Sequence, residues 1–268
     1  MSTHRLTQIL ALGISALLLT ACINGTPGNS GNSSVKRNTP AVGVNNDDLD
    51  APQQQGTPQA QSNVAPTIPN PVVNVYLETS GSMNGYVNGG TSIFQQVVKE
   101  YLSGINNANF ASAVNYNYIN SKIIPRGSDL DQYITKLTPQ SFSAQGNTAT
   151  TDIGGIFKTL LEATDNNTIS IFISDCIISP GRNNDPQAYA RGQMTDVRDA
   201  IVGYINKYQD LACMVYQFDS GFKGTYYDYL NVAHKKIDMQ RPFYIWVFGH
   251  TAQVAMLKLK HVPDRDFP

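Results

Sequence analysis

One strand-like segment of this chain runs directly into a run of acid and hydroxyl side chains. Residues 72–77 are mostly apolar and predict a buried strand. Glu78, Ser80 and Ser82 follow it at alternate positions. Because side chains alternate along an extended chain, one carboxylate and two hydroxyls can converge above the edge of a sheet. Hard cations such as Mg²⁺ take oxygen ligands of this kind, and magnesium usually keeps several of its waters.

The sequence Glu-Thr-Ser-Gly-Ser-Met, which begins at Glu78, resembles the first motif of the metal-ion-dependent adhesion site in the von Willebrand factor A (vWA) domain family. That motif reads Asp-x-Ser-x-Ser, often Asp-x-Ser-Gly-Ser-Met, and it is matched by Ser80, Gly81, Ser82 and Met83. The departure is Glu78, which stands where the family has Asp. A Glu carboxylate lies about one methylene farther from the backbone, and magnesium tolerates little deviation from octahedral geometry.

Two further elements of the family's site have counterparts in the same order. A Gly/Thr-rich segment at residues 147–155 leads into a helix-like apolar stripe. Thr151 is its counterpart of the family's threonine, with Thr150 as the second candidate. The strand-like segment 169–174 then ends in Asp175, as the family's third motif does. The resemblance therefore extends through the whole predicted folded part of the chain.

The resemblance implies a divalent cation, Mg²⁺ or alternatively Mn²⁺ or Ca²⁺. Its metal-site residues would be Glu78, Ser80, Ser82, Thr151 and Asp175. The hydroxyls would touch the ion, and the carboxylates would hold bound waters or the hydroxyls in place. Since neutral ligands leave the cation poorly neutralised, its vacant position would attract an acidic side chain of a protein partner. The alternative is a vWA-like fold whose Ser and Thr side chains only cap helices and turns.

Strand-like and helix-like segments alternate after residue 71. The apolar spacing predicts helices over 93–105, 129–137, 153–161, 194–208 and 251–260, and further strands over 114–124, 211–218 and 243–248. This alternation predicts an α/β fold with a doubly wound, mostly parallel sheet and helices on both faces, of the vWA or Rossmann-like kind. Glu78 and Asp175 would then flank the crevice at the carboxyl edge, where such sheets bind ligands.

The start of the chain is typical of an export signal. A weakly positive beginning precedes an apolar run at residues 9–19, which is too short to cross a bilayer as a helix of about 20 residues. The run ends in Leu-Thr-Ala-Cys at Cys22, which resembles the bacterial lipobox and implies cleavage before Cys22 and acyl chains on it. Ile23, rather than Asp, then favours the outer membrane of the cell envelope. The alternative is an ordinary signal peptide with an incidental cysteine.

Three regions are predicted along the chain: a lipoprotein signal peptide at residues 1–21, the lipidated cysteine and a disordered linker at 22–70, and a vWA-like domain at 71–268. The linker is rich in Gly, Asn, Ser, Thr, Pro and Gln, so it cannot offset its chain entropy by burial. Its reach, roughly 5–6 Å times the square root of its length, would place the domain some tens of Å from the lipid.

Charge and motif content argue against several functions. The formal net charge is −1, and no cluster of Lys and Arg with interleaved aromatic side chains indicates nucleic acid binding. The sequence has no Gly-x-Ser-x-Gly elbow, Walker loop, dinucleotide fingerprint or metalloprotease spacing of histidines. We therefore predict no catalytic residues, and a metal-dependent hydrolase is the weakest alternative.

Two cysteines would remain in the exported domain. Cys176 follows the end of one predicted strand, whereas Cys213 lies near the start of another. Parallel pairing would set them beyond the roughly 4.4–6.8 Å between Cα atoms that a disulfide requires. We predict two buried thiols.

A tyrosine cluster, Tyr226, Tyr227 and Tyr229, is expected in a connection between strands. Such rings either contact a partner or pack into the core, and the sequence leaves both open.

Together these features predict a lipid-anchored, exported vWA-like module that binds a protein through a metal-ion-dependent adhesion-type site. The alternative is a metal-free scaffold subunit of a cell-envelope assembly, for which the Glu78 departure is the main argument.

Overall fold

The structure is a computed structural model that describes residues 7–9, 69–89, 92–143, 151–181, 184–228, 230 and 232–260. Cys22, Thr150 and Tyr229 lie outside these residues. So do most of the predicted signal peptide and linker and the last residues of the predicted domain.

The described chain forms one sheet with helices around it. Its strands are β1 (Thr7–Ile9), β2 (Val72–Glu78), β3 (Ala113–Ile119), β4 (Ile123–Gly127), β5 (Thr168–Ser174), β6 (Ala212–Tyr227) and β7 (Ala233–Gly249). Its α-helices are α1 (Ile93–Asn107), α2 (Leu130–Thr135), α3 (Pro139–Ser143), α4 (Ile153–Glu162), α5 (Pro186–Tyr208) and α6 (Thr251–Lys260). A 3₁₀ helix (Gly81–Tyr86) directly follows β2. Each predicted helical stripe overlaps one of these helices, although Leu137 of the predicted helix 129–137 lies beyond the end of α2.

The strand order is β1-β6-β7-β5-β2-β3-β4. The central strand β2 is parallel to both of its neighbours, β3 and β5. The other neighbouring pairs are antiparallel. The α/β class is therefore confirmed, but the sheet is mixed, with its parallel part confined to β5, β2 and β3. The outermost strand β1 lies within the predicted signal peptide and pairs only with β6, at the edge.

Side chains of the central strands alternate between two apolar layers. Val73, Val75 and Leu77 of β2 belong to one layer, which also contains residues of α1 and α6. Tyr76 belongs to the other layer, which contains residues of α4 and α5. The apolar side chains of α1 and α6 and those of α4 and α5 thus belong to two separate layers. The buried apolar residues of the described chain begin at Val73 and end at Leu257.

The prediction of one strand over 114–124 is wrong, because this segment is the hairpin of β3 and β4. Ile119 pairs with Ile123 across the turn. The residues between them include Asn120 and Ser121, which favour turns over extended chain.

The predicted strands 211–218 and 243–248 are the inner halves of a much longer hairpin, β6 and β7. Antiparallel neighbours need only a short loop, whereas a parallel pair would need a crossover of a dozen or more residues, usually with a helix. The chain between these halves continues in extended form, so β7 runs antiparallel to β5. Tyr226 and Tyr227, which we expected in a connection, therefore lie in β6.

The outer part of this hairpin, residues 219–242, is called the arm here. β7 pairs with β5 only from Tyr244 to Phe248, so the arm lies beyond the carboxyl end of β5. Its two strands pair with each other, and at about 3.4 Å per residue they extend some 30 Å. The base of the arm packs on the 3₁₀ helix, where Phe222 is buried against Gly85.

The two predicted thiols are both free, and both residues are partly buried. Cys213 pairs with Phe248 of β7, which in turn pairs with Ser170 of β5. Cys176 lies six residues beyond Ser170, past the carboxyl end of β5 and so near the opposite end of the strands.

Replacement of Gly85 by Ala tests the packing of the arm on the 3₁₀ helix. A Cβ at Gly85 would lie 2.3 Å from the Phe222 ring, so we expect Gly85→Ala to lower the free energy of unfolding by about 1–3 kcal/mol. Gly221→Ala is the matched control, because a Cβ there meets no heavy atom within 4 Å. Urea unfolding measures both, and equal stability of the two variants would show that the arm does not pack there.

Candidate functional site

Two parallel neighbouring strands bring the two predicted acids to the same edge of the sheet. β2 ends at Glu78, and β5 ends at Ser174, directly before Asp175. Leu77 pairs with Ile173 in this parallel register, so both strands end at the same level. The site therefore lies at the carboxyl edge of the parallel part, as the sequence predicts.

The carboxyl group of Glu78 is fully buried and is surrounded by hydroxyls. Its Oε1 accepts a hydrogen bond from Thr151 Oγ1 at 3.4 Å, and its Oε2 accepts one from Ser174 Oγ. Ser174 Oγ in turn accepts the backbone N–H of Cys176 at 2.7 Å. Glu78 thus ties the end of β5 to the segment before α4.

The two serines of the first motif are linked to the second acid. Ser80 Oγ and Ser82 Oγ share a hydrogen bond of 2.9 Å, and Ser82 Oγ donates to Asp175 Oδ1 at 3.2 Å. The backbone N–H of Ile177 donates to the same Oδ1 at 3.2 Å. Asp175 Oδ2 is buried and has no hydrogen-bond partner within the part of the chain that the structure describes. One acceptor of this buried carboxylate is therefore left to a group outside the described protein atoms.

Thr151 is held at the site through its backbone. Its N–H donates to Ser179 O at 3.2 Å, and its carbonyl accepts from Tyr189 Oη at 3.2 Å. The next residue, Asp152, caps α4 by accepting the backbone N–H of Gly155 at 2.9 Å. The side chain of Thr151 therefore reaches Glu78 from the amino end of α4.

The hydroxyls line a small cavity of about 50 Å³ at this edge. Its lining includes Ser80, Ser82, Thr151, Ser179, Ile177 and Tyr227. Glu78 and Asp175 do not line it but lie behind the hydroxyls that they bind. A cavity of this size has room for a cation with a bound water.

Burial controls the protonation of both acids. Burial, and secondarily the charge of Asp175, raises the pKa of Glu78 from 4.5 to about 8. Burial also raises the pKa of Asp175 from 3.8 to about 6, although hydrogen bonds from Ile177 and Ser82 oppose this shift. Near neutral pH and without a bound ion, Glu78 therefore keeps its proton.

The five predicted residues thus converge, and their chemistry fits a hard cation. All the side-chain donors are oxygen atoms, and three neutral hydroxyls face the cavity with two carboxylates behind them. The unpartnered Asp175 Oδ2 supplies a further acceptor. Among the described residues no group of three or more His, Cys, Asp or Glu side chains could hold a metal, so any ion here depends on the hydroxyls.

Sequence reasoning missed Ile177 and Ser179, which line the cavity just after Asp175. It also missed two further contributors. Ser174 hydrogen-bonds to Glu78, and its place directly before Asp175 at a strand end was the available signal. Tyr227 reaches the cavity from the arm, which the sequence had not revealed as an extended hairpin.

A larger groove of about 790 Å³ lies between α4 and α5 and contains none of the five predicted residues. We place the function at the smaller cavity because the hydroxyls and carboxylates converge there.

Comparison with known proteins gives no match: no family model, curated protein or solved structure is similar to this chain. Within the described ranges, none of the helices combines the length and apolar character needed to cross a bilayer.

The buried acid predicts a pH dependence of stability. Between pH 4.5 and about 8 the folded chain keeps a proton on Glu78 that the unfolded chain has lost. The free energy of unfolding of the metal-free protein should therefore fall as pH rises through this range. Glu78→Gln should remove this part of the slope and should be more stable than the native chain at pH 8.

Urea unfolding at a series of pH values in EDTA measures this effect. Glu162→Gln is the control, because Glu162 is an exposed glutamate on α4. The same pH slope in the Glu78→Gln variant and in the native chain would contradict the assignment.

Proposed function

We propose that this chain is a vWA-like module that binds a protein partner through a divalent cation at the carboxyl edge of β2 and β5. The observation that supports this most is the convergence of Ser80, Ser82 and Thr151 on one small cavity. Asp175, which accepts from Ser82 through Oδ1, has a buried Oδ2 without a partner among the described residues. Mg²⁺ is the ion that we favour, with Mn²⁺ and Ca²⁺ as alternatives.

The hydroxyls would bind the ion, and the acids would orient the hydroxyls. Glu78 accepts from Thr151 and Asp175 accepts from Ser82, so each carboxylate fixes the direction of one hydroxyl lone pair. A bound cation would supply positive charge at the mouth of the cavity. Because its direct ligands are neutral, that charge would remain available to a carboxylate of the partner.

The predicted lipoprotein signal sets the location in this proposal. Acyl chains on Cys22 would anchor the chain to the bacterial outer membrane, and the linker up to residue 70 would tether the folded part to it. The module would then act on the protein components of the cell envelope.

Titration with Mg²⁺, Mn²⁺ and Ca²⁺ tests the metal step directly. We expect heat of binding in calorimetry and a rise in thermal stability, equivalent to about 2.7 kcal/mol when the ion is at a hundred times its Kd. Ser80→Ala/Ser82→Ala should abolish both signals, because it removes two of the three hydroxyls that we propose as direct ligands.

Ser121→Ala/Ser143→Ala is the matched control, since both serines are exposed and distant in sequence from the motif. It should bind the ion as the native chain does. Absence of ion-dependent heat and stabilisation in the native chain would refute the metal site.

A metal-free scaffold subunit is the second candidate, and one observation favours it. The protein satisfies Ser80, Ser82 and Thr151 by its own hydrogen bonds, and a proton on Glu78 can neutralise the buried acid without any ion. The site would then only lock β2, β5 and α4 together.

Capture of a partner from envelope extract, with and without EDTA, separates the two functions. A metal-dependent module should lose its partner in EDTA and in the Ser80→Ala/Ser82→Ala variant. A scaffold should keep the same partner under both conditions, which would contradict the metal-assisted proposal.

We propose no enzymatic activity. Burial raises the pKa of Cys176, the thiol nearest to the site in sequence, to about 12, so it remains protonated and is a poor nucleophile. His250 follows β7 at the opposite edge of the sheet, and its Nε2 lies 3.0 Å from Asp210 Oδ2. A metal-dependent hydrolase is therefore the weakest alternative.

A further inference from the structure

The described residues at the end of the arm, Asp228, Leu230 and 232–236, are called the arm tip here. Leu230 is 48% exposed and Val232 is 50% exposed. Met239, farther down the arm, is 50% exposed. Of the large apolar side chains that the structure describes as exposed, the other two are Val202 on α5 and Leu259 on α6. Exposed apolar side chains are thus concentrated on the arm.

The tip holds its apolar side chains outward by a local hydrogen-bond network. Asp228 Oδ1 accepts the backbone N–H groups of Leu230 and Val232, at 3.0 and 2.9 Å. Its Oδ2 contacts His234 Nε2 at 3.0 Å. Asp228 therefore holds the backbone at Leu230 and at Val232, the two residues whose alkyl side chains are exposed.

Within the described residues, the charged side chains of the tip that have no ion-pair partner are positive. Lys235 and Lys236 are exposed and form no ion pair within the described part of the chain. Two acids of the arm contact basic side chains: Asp228 Oδ2 lies 3.0 Å from His234 Nε2, and Asp238 forms an ion pair with Lys223 at 3.2 Å. The third acid, Asp219, lies at the base of the arm. Two free lysines thus stand beside two exposed alkyl side chains.

We propose that the arm tip binds the surface of an anionic lipid bilayer. Leu230 and Val232 would enter the headgroup region, and Lys235 and Lys236 would contact anionic phosphates. A narrow hairpin end suits insertion into an interface, whereas a stable protein contact buries about 800 Å² on each partner. The proposal does not depend on a metal in the candidate site.

The contact would be weak alone and effective near a membrane. Two lysines and two aliphatic groups supply modest affinity, but a tether at Cys22 would keep the tip at a high local concentration of lipid. Tyr227, which directly precedes the tip, lines the candidate site. Membrane binding would therefore hold that site close to the bilayer surface, where it could meet membrane-resident partners.

Vesicle binding tests this proposal without the anchor. The probe is a chain that starts at residue 22 with Cys22→Ser; it keeps the entire described core, which runs from Val73 to Leu257. It is mixed with vesicles of phosphatidylcholine alone, or of phosphatidylcholine and phosphatidylglycerol in equal amounts, and sedimented. We expect binding to the anionic vesicles only, with weaker binding at higher salt.

Matched variants identify the residues responsible. Lys235→Ala/Lys236→Ala should weaken binding about thirtyfold, at roughly fivefold per lysine. Leu230→Ser/Val232→Ser should also weaken it strongly. The controls are Lys258→Ala/Lys260→Ala on α6 and Val202→Ser on α5, which change exposed or half-exposed side chains. Both controls should bind as the parent does. Circular dichroism and urea unfolding should be unchanged in every variant, because all the changes are at the surface.

Tryptophan fluorescence of a Leu230→Trp variant measures insertion of the tip, and its emission should shift to the blue on anionic vesicles. The emission of the control variant Val202→Trp should not shift. No sedimentation of the parent chain with anionic vesicles would overturn the proposal. So would equal binding by the tip variants and the controls, which would assign the tip to a protein partner or the membrane contact to another surface.

Discussion

The burial of Glu78 at the end of the central strand is the constraint on which the rest of the site depends. An ionised carboxylate inside a protein is costly unless it is neutralised and hydrogen-bonded. The chain meets this requirement with hydroxyls from two other segments, Thr151 before α4 and Ser174 at the end of β5. These two bonds connect three parts of the chain that are far apart in sequence. The convergence of the site is thus a consequence of satisfying one buried acid.

The arm converts an open sheet edge into an enclosed cavity. In a parallel sheet the carboxyl edge is a crevice between loops, open to solvent. Here β6 and β7 continue past that edge, Phe222 packs against Gly85 of the 3₁₀ helix, and Tyr227 completes the cavity wall. The 3₁₀ helix that carries Ser82 is therefore fixed from two sides. Burial of the two acids at this edge raises the pKa of each.

Local periodicity predicted the elements whose burial is uniform, and it failed where two strands share one apolar run. β2 and β5 are buried along nearly their whole length, and the five predicted helical stripes are amphipathic, so each pattern has one interpretation. The segment 114–124 contains two strands, because the turn at Asn120 is only three residues long and barely interrupts the apolar pattern. The arm was missed because Phe222 is its only buried apolar side chain among the described residues, so the segment has no apolar stripe.

The site residues were predictable because their order along the chain and their positions at strand ends are local features. Ser174 and Tyr227 were not, because their roles arise from packing between segments. The mixed sheet could not be predicted either. Whether β7 runs parallel or antiparallel to β5 depends on the connection between residues 218 and 243, and a helix there would have reversed it.

The buried carboxyl group of Glu78 gives the proposed metal-binding function and the metal-free alternative a common energetic basis. The longer side chain of Glu78 reaches Thr151 and Ser174, so its carboxyl group lies behind the cavity rather than in its wall. In that position it can be neutralised by a proton, which the raised pKa shows to be retained near neutral pH, or by a cation held by the hydroxyls in front of it. Proton and cation therefore compete for the same buried charge. A module of this design would bind its ion more tightly as pH rises, whereas a scaffold would keep the proton and the same hydrogen bonds throughout.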